Sequence, residues 1–303
     1  MTTIQPPPTP LEAAIFKTLL YADVFDFPLT QAEVHHYLIE DNATLDAVQT
    51  TLADSPWLRA RVIHTEGYCA VRRGAARARR SRAAGCATQW EKGVRYGRLL
   101  AGLPFVRMVA LTGALAVHNA RDAHDDLDYL IVTAPGRVWV TRMLAVVAVR
   151  LARVWGVELC PNYVLSQTQL AQAQQDLYIA HELAQMVPIS GGALYHDMRR
   201  ANPWADALMP NAGVPLQAPA DFTPRGWARR LQGVAEWLLG GWLGDRLESW
   251  EQRRKARRFA QEDARYDHSA AIINAEQVKG HFDDYGHGVL CAYEDRLREH
   301  GLA

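Results

Sequence analysis

The stretch Val109 to Val132 limits what this chain can fold into more than any other. An apolar run, Val109-Ala-Leu-Thr-Gly-Ala, ends in a glycine turn, and after a helix-compatible segment a second run opens Asp125-Asp-Leu-Asp-Tyr-Leu-Ile-Val. Alternate side chains of a strand share a face. Asp126 and Asp128 therefore point one way, and Leu127 and Tyr129 the other. Two carboxylates held that close repel each other unless a cation lies between them. Mg2+ bridging to substrate phosphates resolves the repulsion most simply, with Mn2+ as an alternative. The pattern predicts a metal-dependent enzyme acting on a nucleoside triphosphate.

With 303 residues the chain is long enough for two or three domains. Lysine plus arginine (33) balances aspartate plus glutamate (33), so no global field draws nucleic acid or an anionic membrane. Cys69, Cys86, Cys160 and Cys291 are scattered without metal spacing, which points to a reduced, cytoplasmic setting. The first residues carry neither a charged leader nor an apolar core, so no signal peptide is expected. The longest apolar run, Met143 to Leu151, contains Arg150 and falls short of the ~20 residues of a membrane span. No membrane contact is expected.

Hydrophobic periodicity predicts helices over Leu11 to Tyr21, from Thr30 to about Ile39, and over Leu45 to Ala53. Thr30 with Glu33 reads as a capping box. Two β-like stretches, Arg61 to Thr65 and Tyr68 to Val71, meet at Glu66-Gly67. Three helices and a two-stranded wing look like a winged-helix module (1–72). An arginine-rich connector and helix (73–102) follow. Strand, helix, strand, helix, strand then make an α/β unit (103–167). From Thr168 onward the text reads as helical (168–303), broken at Pro188-Ile-Ser-Gly-Gly192.

Phosphoryl and nucleotidyl transfer need charge neutralisation, a backbone cradle and an aligned hydroxyl. Thr112-Gly113-Ala114 opens a helix directly after a strand, where free N–H groups and glycine let a phosphate approach. Here the chain resembles the DNA polymerase beta-like nucleotidyltransferase superfamily, in a bacterial subgroup that carries an N-terminal winged helix. The motif is Thr112-Gly113-Ala114 with Asp126-Leu127-Asp128-Tyr129, and the likeness covers about Phe105 to Ser166. Pro135-Gly136-Arg137 and Cys160-Pro-Asn-Tyr163 extend it. The resemblance implies an α/β (α+β) nucleotidyltransferase core with a mixed sheet, between the winged helix and a helical C-terminal region. It also implies an Mg2+-dependent enzyme that moves a nucleoside monophosphate from an NTP to an unidentified hydroxyl acceptor. Asp126 and Asp128 would hold metal, and Thr112, Gly113 and Ala114 the phosphates. Tyr178, Glu182 and Tyr195 fall on C-terminal helices that commonly wall such a pocket. Ala114 replaces the superfamily's preferred serine, a loss of about 0.5–1.5 kcal/mol for one neutral hydrogen bond. Glu158, the only acid of the third strand, is the candidate base. Asn162, on the same face by parity, can bind substrate but cannot take a proton. Arg137 and Arg142 would grip the triphosphate or the acceptor, or else face solvent.

Several readings compete. A degenerate site would leave a non-catalytic nucleotide-binding or scaffold protein. A regulator would use the winged helix, yet its third helix carries Asp46 and Asp54 without lysine or arginine, so duplex DNA is not the expected partner and a protein contact is favoured. A glycosyltransferase also uses Asp-x-Asp, but the Gly113 to Asp126 spacing is short for it. Asn119, Asp122 and Asp125 read as loop residues. The basic run Arg253 to Arg258 reads as a solvated helix face, and His281 with His287 as helix-entry chemistry. His35-His36 and His181-Glu182 lack the spacing of a zinc helix.

Overall fold

The computed structural model describes residues 7–122, 125–217, 219–263, 271–280 and 284–302. His281, Phe282 and Asp283 of the His-Phe-Asp-Asp motif lie outside these. Thr9 starts helix α1 (Pro10–Asp23) through a capping box with Glu12, and Thr30 repeats the device with Glu33, as its spacing predicts. Strand β1 (Leu29–Thr30), helices α2 (Gln31–His36), α3 (Leu45–Asp54) and α4 (Pro56–Arg59), and strands β2 (Ile63–Thr65) and β3 (Tyr68–Ala70) complete an N-terminal module. Its three strands pair antiparallel in the order β1-β3-β2 around a core that includes Ile15, Phe16, Leu38, Leu52 and Leu58. The short α4 and β1 are additions to the predicted elements.

The arginine-rich stretch is no linker. It forms the first half of the 27-residue helix α5 (Ala75–Ala101). Arg79 makes a bidentate pair with Glu33 and lies over Phe27, Arg80 pairs with Glu66, and Arg72, just ahead of the helix, holds Asp23 and Asp26. These arginines fasten the N-terminal module to the start of α5.

A six-stranded mixed sheet comes after this helix, built on β4 (Val106–Leu111), β5 (Leu127–Thr133) and β6 (Leu159–Ser166). The four-residue α6 (Gly113–Ala116) connects the first two strands and α7 (Val138–Val154) the next. Helix α8 (Leu177–Gln185), strand β7 (Val187–Ser190), and helices α9 (Gly192–Ala201), α10 (Pro203–Leu208), α11 (Gly226–Gly240) and α12 (Trp242–Asp263) come next. A hairpin, β8 (Ile272–Ile273) with β9 (Gln277–Lys279), precedes α13 (Tyr285–Glu299). The sheet order is β7-β4-β5-β6-β9-β8, and β5 and β6 run parallel while the other neighbours are antiparallel. The C-terminal region is therefore not helical throughout.

The Pro188 to Gly192 segment, expected to break a helix, contributes most of edge strand β7. Pro188 lacks an N–H, which an edge position tolerates. Gly191 then turns the chain at φ +74°, where an added Cβ would run into the Arg107 carbonyl and Met108. Only glycine fits that approach.

Burial alternates along the central strands. Val109, Leu111, Leu127, Tyr129 and Ile131 face the core under α5 and α7, while Met108, Ala110, Leu130 and Val132 face the core under α8 and α9. Even-numbered residues of β5 thus belong to the α8 side.

The start of α7 has no side-chain cap of its own. Glu248, reaching over from α12, accepts from the N–H groups of Trp139 (2.8 Å) and Val140 (2.7 Å) and satisfies two otherwise orphaned donors. Among the described residues no helix is long and apolar enough to cross a membrane. Glu248→Ala strands those donors in a buried setting and is expected to cost about 1–3 kcal/mol, read as a lower midpoint in urea unfolding.

Candidate functional site

Asp126 ends the loop before β5, and Asp128 is the second residue of that strand, opposite Cys160 of β6. The two carboxylates and the Cys160 thiol offer ligand atoms within 4.8 Å of one another, with Asp126 exposed and the other two half-buried. The parity argument holds: both acids face the α8 side. Gly113 packs closely against Asp128. Its φ is +67°, and a Cβ there would meet Asp128 Oδ2 at 2.5 Å. The Asp128 carbonyl also accepts from the Thr112 N–H at 3.0 Å, which locks the glycine turn to the acidic strand.

Between Asp128 and Leu130, β5 advances two residues while β6 advances three, from Cys160 to Tyr163. This bulge at Pro161 re-aims the β6 side chains, as bulges beside sites commonly do. Asn162 and Tyr163 both reach the cavity as a result. Asn162 Nδ2 donates to Asp128 Oδ1 at 2.9 Å and fixes the carboxylate's orientation.

The cavity above the acids has a volume of about 440 Å³, within the range of small-ligand pockets. Thr112, Gly113 and Ala114 line one end, and Tyr178 and Glu182 of α8 form a wall. Lys279 of β9 and Tyr285 and Gly286 of α13 close the far side. A ring-sized aromatic recess of about 150 Å³ adjoins it, sharing Gly113, Ala114, Tyr178, Glu182 and Tyr285 and bounded by Tyr21, Phe25 and Tyr37 of the N-terminal module.

Burial, then the neighbouring Asp126 and Glu182, push the Asp128 carboxyl up to about 8. Burial, with Asp128 and Asp126 behind it, pushes the Cys160 thiol up to about 12, so sulfur stays protonated beside the acids. Burial also raises Glu182, against the pull of Lys279. Four carboxylates, Asp126, Asp128, Glu182 and Asp284, thus line a cavity where a single lysine is the one cationic side chain among the lining residues. Two acids this close, next to a glycine-tight backbone, suit a hard divalent cation.

Not every expected residue reaches this place. Glu158 precedes β6, points to solvent and lies 3.8 Å from Arg153 Nε; the base assigned to it is therefore corrected. It joins the site only through its carbonyl, which accepts from the Leu127 N–H. Arg137 is a second correction. It bonds the Gly240 carbonyl and pairs with Asp245 at 2.7 Å beyond the opposite end of β5. At ~3.3 Å of rise per residue, that end is roughly 17 Å from Asp128. Arg142 lies over Phe259. Asp125 accepts from the Arg121 N–H, and Asn119 accepts from Arg82, so both serve the loop. Tyr195 is buried in the core on α9 and does not line the cavity.

Lys279 escapes a reading of local patterns, because it arrives on a late hairpin paired with β6. Cys160, part of the Cys-Pro-Asn-Tyr motif, enters the acidic group only through strand register. Glu182, expected on a pocket wall, is there, and with Asp284 it adds carboxyl groups to a cavity that Glu158 does not line. The chain matches no protein-family model, no curated protein and no solved structure.

A carboxyl raised on folding binds its proton more tightly in the folded state. Its contribution to stability is full below the unfolded value of 3.8 and is lost as pH rises toward about 8. In cation-free buffer, thermal stability is expected to fall over this window and to fall less in Asp128→Asn. Mg2+ or Mn2+ should raise the melting temperature more at pH 8 than at pH 5. A cation effect that is equal at both pH values, or unchanged by the substitution, would contradict the assignment.

Proposed function

We propose that the chain is a divalent-cation-dependent nucleotidyltransferase related to the DNA polymerase beta-like superfamily. It would transfer a nucleoside monophosphate from an NTP to a hydroxyl. The observation that carries this reading is the Asp126–Asp128 pair, with Asp128 packed against Gly113, at the floor of a nucleotide-sized cavity. The order of helices and strands before Ala75 supports the winged-helix assignment of the N-terminal module. The acidic α3 keeps a protein contact, rather than duplex DNA, as its expected role.

Asp126 and Asp128 would hold the cation, Mg2+ or Mn2+, which when bound neutralises polyphosphate charge. The neutral Cys160 thiol is a poor ligand for a hard ion. The backbone around Gly113 admits the phosphates, and the Thr112 hydroxyl, with no hydrogen-bond partner among the described residues, faces the same cavity. Lys279 supplies a fixed positive charge opposite the acids. Asn162 keeps Asp128 oriented.

The acceptor oxygen attacks the α-phosphorus as the α–β phosphoanhydride bond breaks and pyrophosphate leaves with the bonding electrons. Glu182, raised by burial, sits between the cavity and the aromatic recess and takes the acceptor's proton. Ala114 lines the cavity without a hydroxyl, so the phosphate contact there falls to the backbone.

The test is release of pyrophosphate from labelled NTPs with Mg2+ or Mn2+ and cell extract as acceptor source. Asp126→Asn is expected to abolish turnover while the fold survives. Glu182→Gln should lower kcat by about 10²–10⁴-fold with little change in KM, and Lys279→Ala should mainly raise KM. Full activity in Asp126→Asn would overturn the reading. Cation-dependent nucleotide binding without turnover on any acceptor would leave a nucleotide-binding module.

A further inference from the structure

Helices α11 and α12 leave an apolar, basic face uncovered. On α11, Trp227, Leu231, Val234 and Leu238 recur at spacings of four, three and four and so form one stripe, with Arg230 and Trp237 alongside. Trp227 is 78% and Trp237 79% exposed, and Leu231, Val234 and Leu238 are each more than half exposed. On α12, Trp242, Arg246, Trp250, Arg253 and Arg257 recur at spacings of four, four, three and four, flanked by the exposed Leu243.

Of the acids of these helices whose side chains are described, Glu236, Glu248 and Glu251 turn away from that face, while Asp245 is exposed and borders the same groove as Trp242, Arg246 and Trp250. Glu236 binds Arg107 and the Phe105 N–H, Glu248 caps α7, Glu251 is buried against Arg254, and Asp245 pairs with Arg137. Arg230, Arg253 and Arg257 have no ion-pair partner among the described residues, and Arg246 lies over the Trp242 ring. A chain with zero formal net charge thus carries, on two consecutive helices, exposed arginines without an ion-pair partner among the described residues beside large exposed apolar side chains.

We infer that the α11–α12 face docks on an anionic lipid surface, lying in the headgroup plane without crossing the bilayer. Tryptophan suits that boundary, because its ring enters the apolar zone while its N–H stays in polar surroundings. Arginines interleaved with apolar residues add attraction to acidic headgroups, as in interfacial amphipathic helices. A second copy of the chain fits less well. A two-fold contact sets each patch against itself, so the two arginine stripes would face each other. The inference is independent of the nucleotidyl-transfer reading.

Sedimentation with vesicles tests it, using phosphatidylglycerol in phosphatidylcholine against phosphatidylcholine alone. The full-length chain is expected to bind the anionic vesicles at least tenfold more tightly, with a blue shift of tryptophan emission and loss at high salt. Trp237→Ser with Trp242→Ser, and separately Arg246→Glu with Arg253→Glu, should each weaken binding at least tenfold. Because these side chains face water, circular dichroism melts should stay unchanged. The inference fails if the chain ignores anionic vesicles, or if both double variants bind like the parent. A concentration-dependent dimer abolished by the tryptophan substitutions, without vesicle binding, would assign the face to a second copy and also overturn it.

Discussion

Period-two segregation along β5 is the constraint that creates the site. Leu127, Tyr129 and Ile131 must enter the core beneath α5 and α7, and that requirement alone turns Asp126 and Asp128 toward α8. A slip of one residue would bury both acids among apolar side chains and expose Tyr129, so register is strongly specified. Tyr129 adds a hydrogen bond from its hydroxyl to the Gly93 carbonyl, which anchors the strand to α5 from the other face. Core packing and acid placement are thus consequences of one register.

The same geometry gathers negative charge in a half-buried place. Asp128 cannot ionise easily there, and Glu182 shares the difficulty. Proteins hold such groups where a ligand or cation completes the arrangement. The supporting parts are rigid: a glycine turn hydrogen-bonded to Asp128, a bulge that aims Asn162, and a short hairpin that delivers Lys279. The cavity wall borrows from two regions far apart in sequence, α8 and the segment from β9 to the start of α13.

What could be read directly from the residues was local. Alternation placed Asp126 and Asp128 together, and the glycine after an apolar run marked the turn that meets them. Thr30 and Glu33 announced their helix. Parity also brought Asn162 to the right face, although the bulge at Pro161, invisible to parity, is what sets its final aim. Long-range placement was not legible. Nothing near Lys279 in the chain says that its strand pairs with β6, and no local pattern says that Asp284 reaches the same cavity. Arg137 misled because a basic residue after an acidic strand has the right chemistry at the wrong end of that strand. The β7 segment misled because proline and paired glycines signal a helix break as readily as an edge strand.

The last helix returns to the first part of the chain. Val289 and Tyr293 of α13 belong to the same buried cluster as Ile15, Phe16 and Tyr21, and Arg296 joins Arg72 on Asp23. The N-terminal module therefore finishes its interior with residues contributed by the opposite terminus. It is not a detachable cassette: a fragment cut after β3 would expose apolar surface that α13 normally seals. Trimming α13 would likewise unseat Tyr285 and Gly286, so damage at either extremity of the polypeptide is felt at the pocket between them.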